Sequence, residues 1–184
     1  MNSYFILWPT DWCKRLTQAH DQGPLQAIYG GSHTSVPPLG RVTVGDIIHP
    51  VSIKNGQLFI IGRMRVASIL DAEEYLKGQN ISRFNNELWD TSAPKLLKQN
   101  PELGHRIPRS CIENVALGTG TGLRFDFNLS TEIVSNLRFG QKPGFEKRLS
   151  INEEGKISHV GLQGHFRRLS SDSAALVAEV MREF

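Results

Sequence analysis

The dipeptide Asn55-Gly56, set between two β-rich arms at Ile47–Ile53 and Gln57–Ile69, narrows the folds open to this chain more than any other feature. Asn and Gly both accept positive φ, which a type I′ turn needs at its two central positions. The twist of that turn matches the strands it joins, so a β-hairpin is expected here. A tight Gly45-Asp46 turn feeds its first arm. The second arm reads Leu58-Phe59-Ile60-Ile61-Gly62-Arg63-Met64-Arg65-Val66. Gly62 inside it suggests a bulge or a close backbone approach, and period-two alternation places Arg63 and Arg65 on one face. A hairpin needs a core to dock on, and a chain of 184 residues buries about 70% of its unfolded surface without a metal or disulfide staple. With 39% hydrophobic and 21% charged residues, the composition excludes intrinsic disorder, collagen and a disulfide-rich scaffold.

The remaining elements follow from local pattern. Tyr4 to Trp8 is a continuous apolar, aromatic-rich run bounded by Pro9 and reads as a buried strand. Thr10 or Asp11 caps a short helix over Trp12 to His20, with Trp12, Leu16 and Ala19 on one side. Tyr29 to Gly40, rich in Gly and Pro, reads as a loop. Asp71 caps a helix that Gly78 closes, and Asn80 to Arg109, punctuated by Pro94, Pro101 and Pro108, reads as an insertion. Leu123 to Phe127 alternates as a strand, Ser130 caps a helix to Leu137, and Arg148–Ile151 pairs with Lys156–Val160. The tail from Ser173 to Phe184 is a helix with Leu176, Val177, Val180 and Met181 on one face. Strands outnumber helices and alternate with them irregularly, which favours a mixed α+β domain over a parallel α/β sheet. Residues 1–184 are expected to form a single domain, with a core barrel over 3–127 and a C-terminal α/β extension over 128–184.

No apolar run approaches the ~20 residues of a membrane span, and no basic leader precedes the short N-terminal apolar stretch, so a cytoplasmic protein without membrane partners is expected. Cys13 and Cys111, far apart and in no CxxC, read as two unrelated thiols.

Catalytic signatures are sparse. Gly118-Thr119-Gly120-Thr121-Gly122 lacks the Lys-Ser/Thr of a phosphate loop and opens onto a strand, so it reads as a flexible connector. None of the six histidines forms an HxH or HExxH pair, and no GxSxG elbow is present. No catalytic residue, metal ligand or cofactor is assigned, and the chain leans towards a binding protein over an enzyme. The basic residues say more. Residues 1–92 carry 8 basic and 8 acidic side chains, and residues 93–184 carry 13 and 10, so the whole net charge of +3 arises in the second half. Arg106 with Arg109, then Arg138, Lys142, Lys147 and Arg148, and finally Arg167 with Arg168 form local clusters. Any one cluster is most often a solvated face; together they suit a phosphate backbone. Trp8, Trp12, Tyr29 and Trp89 flank loops or element ends, where aromatic rings stack unpaired bases for ~1–3 kcal/mol each. Taken singly, each is more often a core residue.

The order of features over residues 3–70 resembles the PUA-like superfamily, in particular its EVE and YTH-related branches. The opening strand Tyr4-Phe5-Ile6-Leu7-Trp8 runs into Pro-Thr-Asp-Trp at 9–12, then come Val44-Gly45-Asp46-Ile47-Ile48 and Phe59-Ile60-Ile61-Gly62-Arg63-Met64-Arg65-Val66. The resemblance implies a small mixed β-barrel flanked by short helices. It also implies binding of RNA, or of DNA carrying a modified base, in an aromatic-walled pocket. Trp8, Trp12 and the Gly45-Asp46 turn match the family pattern, while Tyr29 and Trp89 are candidates by type. The expectation is a non-catalytic nucleic-acid-binding module whose partner is DNA or RNA. Its candidate residues are Trp8, Trp12, Tyr29, Trp89, Arg63, Arg65, Arg106, Arg109, Arg138, Lys142, Arg167 and Arg168. The alternative is an interaction or inhibitor protein of the immunity type, with a protein partner and no nucleic-acid ligand.

Overall fold

The computed structural model describes residues 1–32, 36–79, 101–106 and 112–184. Its strands are β1 (Ser3–Leu7), β2 (Ala27–Gly31), β3 (Ile47–Lys54), β4 (Gln57–Ile60), β5 (Met64–Asp71), β6 (Ile112–Gly120) and β7 (Arg167–Arg168). They form one sheet in the order β2-β6-β5-β3-β1-β7, with β4 also paired to β3. Among the described strands only β1 and β3 run parallel, so the fold is mixed α+β. Among the described residues the path ends at β2 and β7 and does not close into a barrel. No helix among them is long and apolar enough to cross a membrane.

The hairpin forms where the turn chemistry puts it. Asn55 and Gly56 take φ of 54° and 77°, and Lys54 pairs with Gln57 around them. One edge of β3 is shared between two partners: Ile47 and Ile48 face β5, while Val51 to Lys54 face β4. Pro50, which has no N–H to give, lies at the junction between those pairings, opposite the break in the second arm at Ile61–Arg63. There the backbone bond is Ile61 N–H to the Pro50 carbonyl, at 2.8 Å, so the proline only accepts.

β1 explains the two cores. Its alternation sends Tyr4 and Ile6, followed by Trp8, into one cluster with Leu16, Leu25 and Ile48, and it sends Phe5 into another with Val51, Leu58 and Leu169. A strand covered on both faces carries no polar positions, hence the unbroken apolar run. Helix α1 (Thr10–Gln18) covers the first face through Trp12, Cys13 and Leu16. The expected Thr10 or Asp11 cap is not formed: the N-cap is Pro9, whose side chain has no acceptor, and Thr10, already inside the helix, donates its hydroxyl to the Ile53 carbonyl at 3.2 Å. Residues from 129 onward cover the second face, with α3 (Thr131–Asn136) capped by Ser130 and α4 (Ser171–Val180) capped by Ser170. Phe5, fully buried against Phe139 and His49, contributes ~2–3 kcal/mol of burial there. Helix α2 (Ala72–Gly78) starts at Asp71, whose carboxylate accepts the Glu74 N–H at 2.9 Å.

Two glycine-rich stretches expected as loops are strands in part: Tyr29–Gly31 of the 29–40 stretch lies in β2, while residues 37–40 are loop, and Gly118–Gly120 of the 118–122 run lies in β6. Ala27–Gly31 pairs with β6, and Gly30 leaves room for the 39–40 segment, since a Cβ there would lie 2.8 Å from the Leu39 backbone nitrogen. The run at 118–122 is likewise no free connector. Gly118 and Gly120 are strand residues in β6, and a Cβ at Gly118 would sit 1.9 Å from the Arg65 carbonyl oxygen. Conversely, Leu123 to Phe127 makes backbone bonds to Gln22, Ile61 and Ile60 without becoming a sheet strand.

Candidate nucleic-acid interface

A groove of about 470 Å³ forms where the two halves of the chain meet, and the polar and aromatic side chains that line it include Tyr4, Arg41, Lys142, Phe145, His165 and Arg168. Each is placed by a local cause. Tyr4 of β1 and Arg168 of β7 are register partners, so their side chains leave the sheet on the same side. Arg41 follows Gly40, whose φ of 61° turns the chain, and the Arg41 carbonyl accepts the Tyr4 hydroxyl at 3.2 Å. The 140–145 turn is pinned at its base by Gly140 N–H to the Arg168 carbonyl at 2.9 Å. It closes through Phe145 N–H to the Lys142 carbonyl at 3.0 Å, with Gly140 and Gly144 at φ of 131° and 82°.

The groove is positively charged without internal compensation. No ion pair between described residues uses Arg41, Lys142 or Arg168. The nearest acids are engaged: Glu146 accepts the Gly144 N–H at 2.8 Å, and buried Asp46 accepts the Asn2 N–H, the Thr43 N–H and the Thr43 hydroxyl. Burial and then the Asp46 charge raise the Tyr4 phenol above its ordinary value, although Arg168 and Arg41 pull against them. It therefore stays a neutral hydroxyl. Phe145 is 70% exposed, an unusual cost for a phenyl ring, and the Lys142 ammonium lies 4.3 Å from its centroid. Cations beside an exposed ring can hold phosphates and stack a base.

Of the expected site residues, the fold brings Lys142 and Arg168 into this groove and disperses the others. Trp8 and Trp12 are core residues at 8% and 5% exposure. Tyr29 packs in a separate cluster beside Tyr75, and its hydroxyl donates to the Arg106 carbonyl. Arg106 lies in a short turn at Pro101–Arg106. Arg138 folds back onto the Ser135 and Leu137 carbonyls at 2.8 and 2.9 Å. Arg167 faces the opposite side from Arg168, against Phe5, and its Nε is buried without a hydrogen-bond partner among the described residues. Arg65 is exposed on β5, and Arg63 lies close enough to His49 to help keep that imidazole uncharged. Trp89 and Arg109 lie outside the described residues, as does Cys111. Arg41, Phe145 and His165 were not singled out from sequence. The signal for Phe145 was its setting: one aromatic in the polar run Gly140-Gln-Lys-Pro-Gly-Phe-Glu-Lys has nothing local to pack on.

Three groups with nucleophilic or acid–base chemistry are committed elsewhere. His105 and Asp21 form a buried pair, Nδ1 to Oδ2 at 3.1 Å, but His105 Nε2 already accepts the Gln26 N–H at 2.9 Å. That dyad has no free nitrogen to take a proton from a substrate. Burial pushes the Cys13 thiol up to about 12, and it pushes the fully enclosed His49 down to about 3. Among the described residues no group of three or more His, Cys, Asp or Glu is arranged to hold a metal. No family model, curated protein or solved structure matches this chain.

Proposed function

We propose that this protein is a non-catalytic nucleic-acid-binding module that holds a single-stranded segment in the groove between its two halves. Arg41, Lys142 and Arg168 take successive phosphates, and Phe145 stacks an unpaired base, modified or not. The observation that carries the reading is the convergence itself. Arg41 belongs to the charge-neutral first half and the other two cations to the basic second half, yet all three, none of them ion-paired to a described residue, line one groove beside an exposed ring. A phosphate chain is the ligand that uses fixed cations and a π-face together. The engagement of His105 and the burial of Cys13 and His49 support binding without chemistry.

The PUA-like resemblance supports the same reading, with the exposed Phe145 ring as the aromatic wall in place of Trp8, Trp12 and Tyr29. In this proposal the open sheet corresponds to the barrel of those domains. The Gly45-Asp46 turn serves it structurally, with Gly45 at φ of 90° and the Asp46 carboxylate tying the residue before β1 to the entry of β3.

Fluorescence anisotropy with short labelled single-stranded DNA, single-stranded RNA and a duplex, at low salt, tests the proposal. Single strands bind better than the duplex, and the combined Arg41→Glu, Lys142→Glu and Arg168→Glu variant, shown folded by circular dichroism, does not bind. Binding unchanged in that variant removes the groove from the account. No binding by any strand leaves the interaction-protein reading instead.

A further inference from the structure

A second cavity, of about 550 Å³, lies between α1 and the end of the hairpin and shares no lining residue with the groove. Its volume falls in the range of about 300–1,000 Å³ typical of small-molecule sites. Chemically it is graded. The inner wall is apolar: Ile61 is 1% exposed, and the half-buried rings of Phe59 and Phe125 flank it. Two small polar groups, the Cys13 thiol and the Ser52 hydroxyl, are buried within it at 8% and 5% exposure. Burial keeps that thiol protonated, against the pull of a hydrogen bond with Ser52, so it lines the wall and does not attack a ligand.

The mouth carries the charge. Lys14 and Lys54 are exposed there, and neither takes part in an ion pair among the described residues. The one acid at the mouth, Asp126, is held by Arg124 at 3.2 Å. Arg124 is in turn fixed over the Phe127 and Phe184 rings, at 5.0 and 5.6 Å from their centroids.

We propose that this cavity is a binding site for a small amphipathic organic anion. A flat or short-chain apolar body packs on Ile61, Phe59 and Phe125, and one carboxylate- or sulfonate-type group is held at the mouth by Lys14 and Lys54. Ser52 supplies the single internal hydrogen bond that orients the body. The site is independent of the nucleic-acid groove and stands if that reading falls.

The probe is 8-anilinonaphthalene-1-sulfonate, a fused-ring body with one sulfonate, titrated into the folded protein and followed by its fluorescence. Binding is saturable at one site, with a dissociation constant on the order of 10–100 µM. The Lys14→Glu, Lys54→Glu double variant, whose changes are both at exposed positions, binds it at least about tenfold more weakly. N-phenyl-1-naphthylamine, the same rings without the sulfonate, shows no such difference between the two proteins. In amide chemical-shift mapping the sulfonate moves the signals of Cys13, Ser52 and Ile61 and leaves those of 140–145 in place. Unsaturable binding, equal affinity in the double variant, or shifts concentrated elsewhere overturns the proposal.

Discussion

Buried His49 makes this protein acid-sensitive by an amount the structure sets. Its ring sits edge-on to Phe5 with centroids 5.8 Å apart, is 2% exposed, and its Nδ1 has no hydrogen-bond partner among the described residues. Desolvation first, and the nearby Arg63 charge second, hold it neutral down to about pH 3, against an ordinary value of 6.5. As pH falls below 6.5 the unfolded chain takes up a proton that the folded chain refuses, so stability is lost between 6.5 and about 3. Each pH unit well inside that window costs about 1.4 kcal/mol, which gives about 2 kcal/mol between pH 7 and pH 5. That figure does not depend on the exact folded value, provided it lies well below 5. The perturbation is His49→Phe, a ring of similar size without the stranded nitrogen. At about pH 7 it changes stability by less than about 1.5 kcal/mol in either direction. Urea denaturation of both proteins at the two pH values gives the comparison. Wild type loses about 2 kcal/mol more than the variant on acidification. The lowered carboxyls of Asp21 and Asp46 destabilise as pH falls through their ordinary value of 3.8, below the pH 7-to-5 interval compared, and they are common to both proteins. Equal losses in the two proteins refute the reasoning.

Other consequences are equally direct. Gly118→Ala drives a Cβ into the Arg65 carbonyl and destabilises by about 2–3 kcal/mol in thermal or urea melts, whereas Gly78→Ala, with open space and a helical position, stabilises by about 0.5–1 kcal/mol. In a Cys111→Ser background Cys13 resists a thiol reagent until the protein unfolds. Stability also falls as pH rises above 9, because the unfolded thiol ionises there while the folded one waits until about 12. Phe145→Ala leaves the melting temperature nearly unchanged, since the ring is 70% exposed, but weakens single-strand binding by the equivalent of about 1–3 kcal/mol.

The parts of the fold legible in the sequence are those governed by neighbours in the chain. Asn55-Gly56 specifies its own turn, and Asp71 and Ser130 cap the helices that follow them through side-chain bonds spanning three residues. The glycine stretches were opaque for the opposite reason. Gly30 and Gly118 are glycine because Leu39 and Arg65, distant in sequence, press on them, and local reading takes glycine as freedom. Trp8 and Trp12 suffered the same limit: only the coverage of β1 on both faces and the docking of α1 decide that they are core. For the groove, charge statistics pointed at Lys142 and Arg168. Arg41 was invisible, a single cation in a neutral half, until the fold carried it across to them.

The salt dependence of single-strand binding tests that convergence most directly. If Arg41, Lys142 and Arg168 each neutralise one phosphate, a plot of log affinity against log salt has a slope of about −2, because each contact on a single strand contributes about −0.7. Removing one cation, by Arg41→Ala, reduces the slope by about a third. A slope near zero, or one that Arg41→Ala leaves unchanged, contradicts the account.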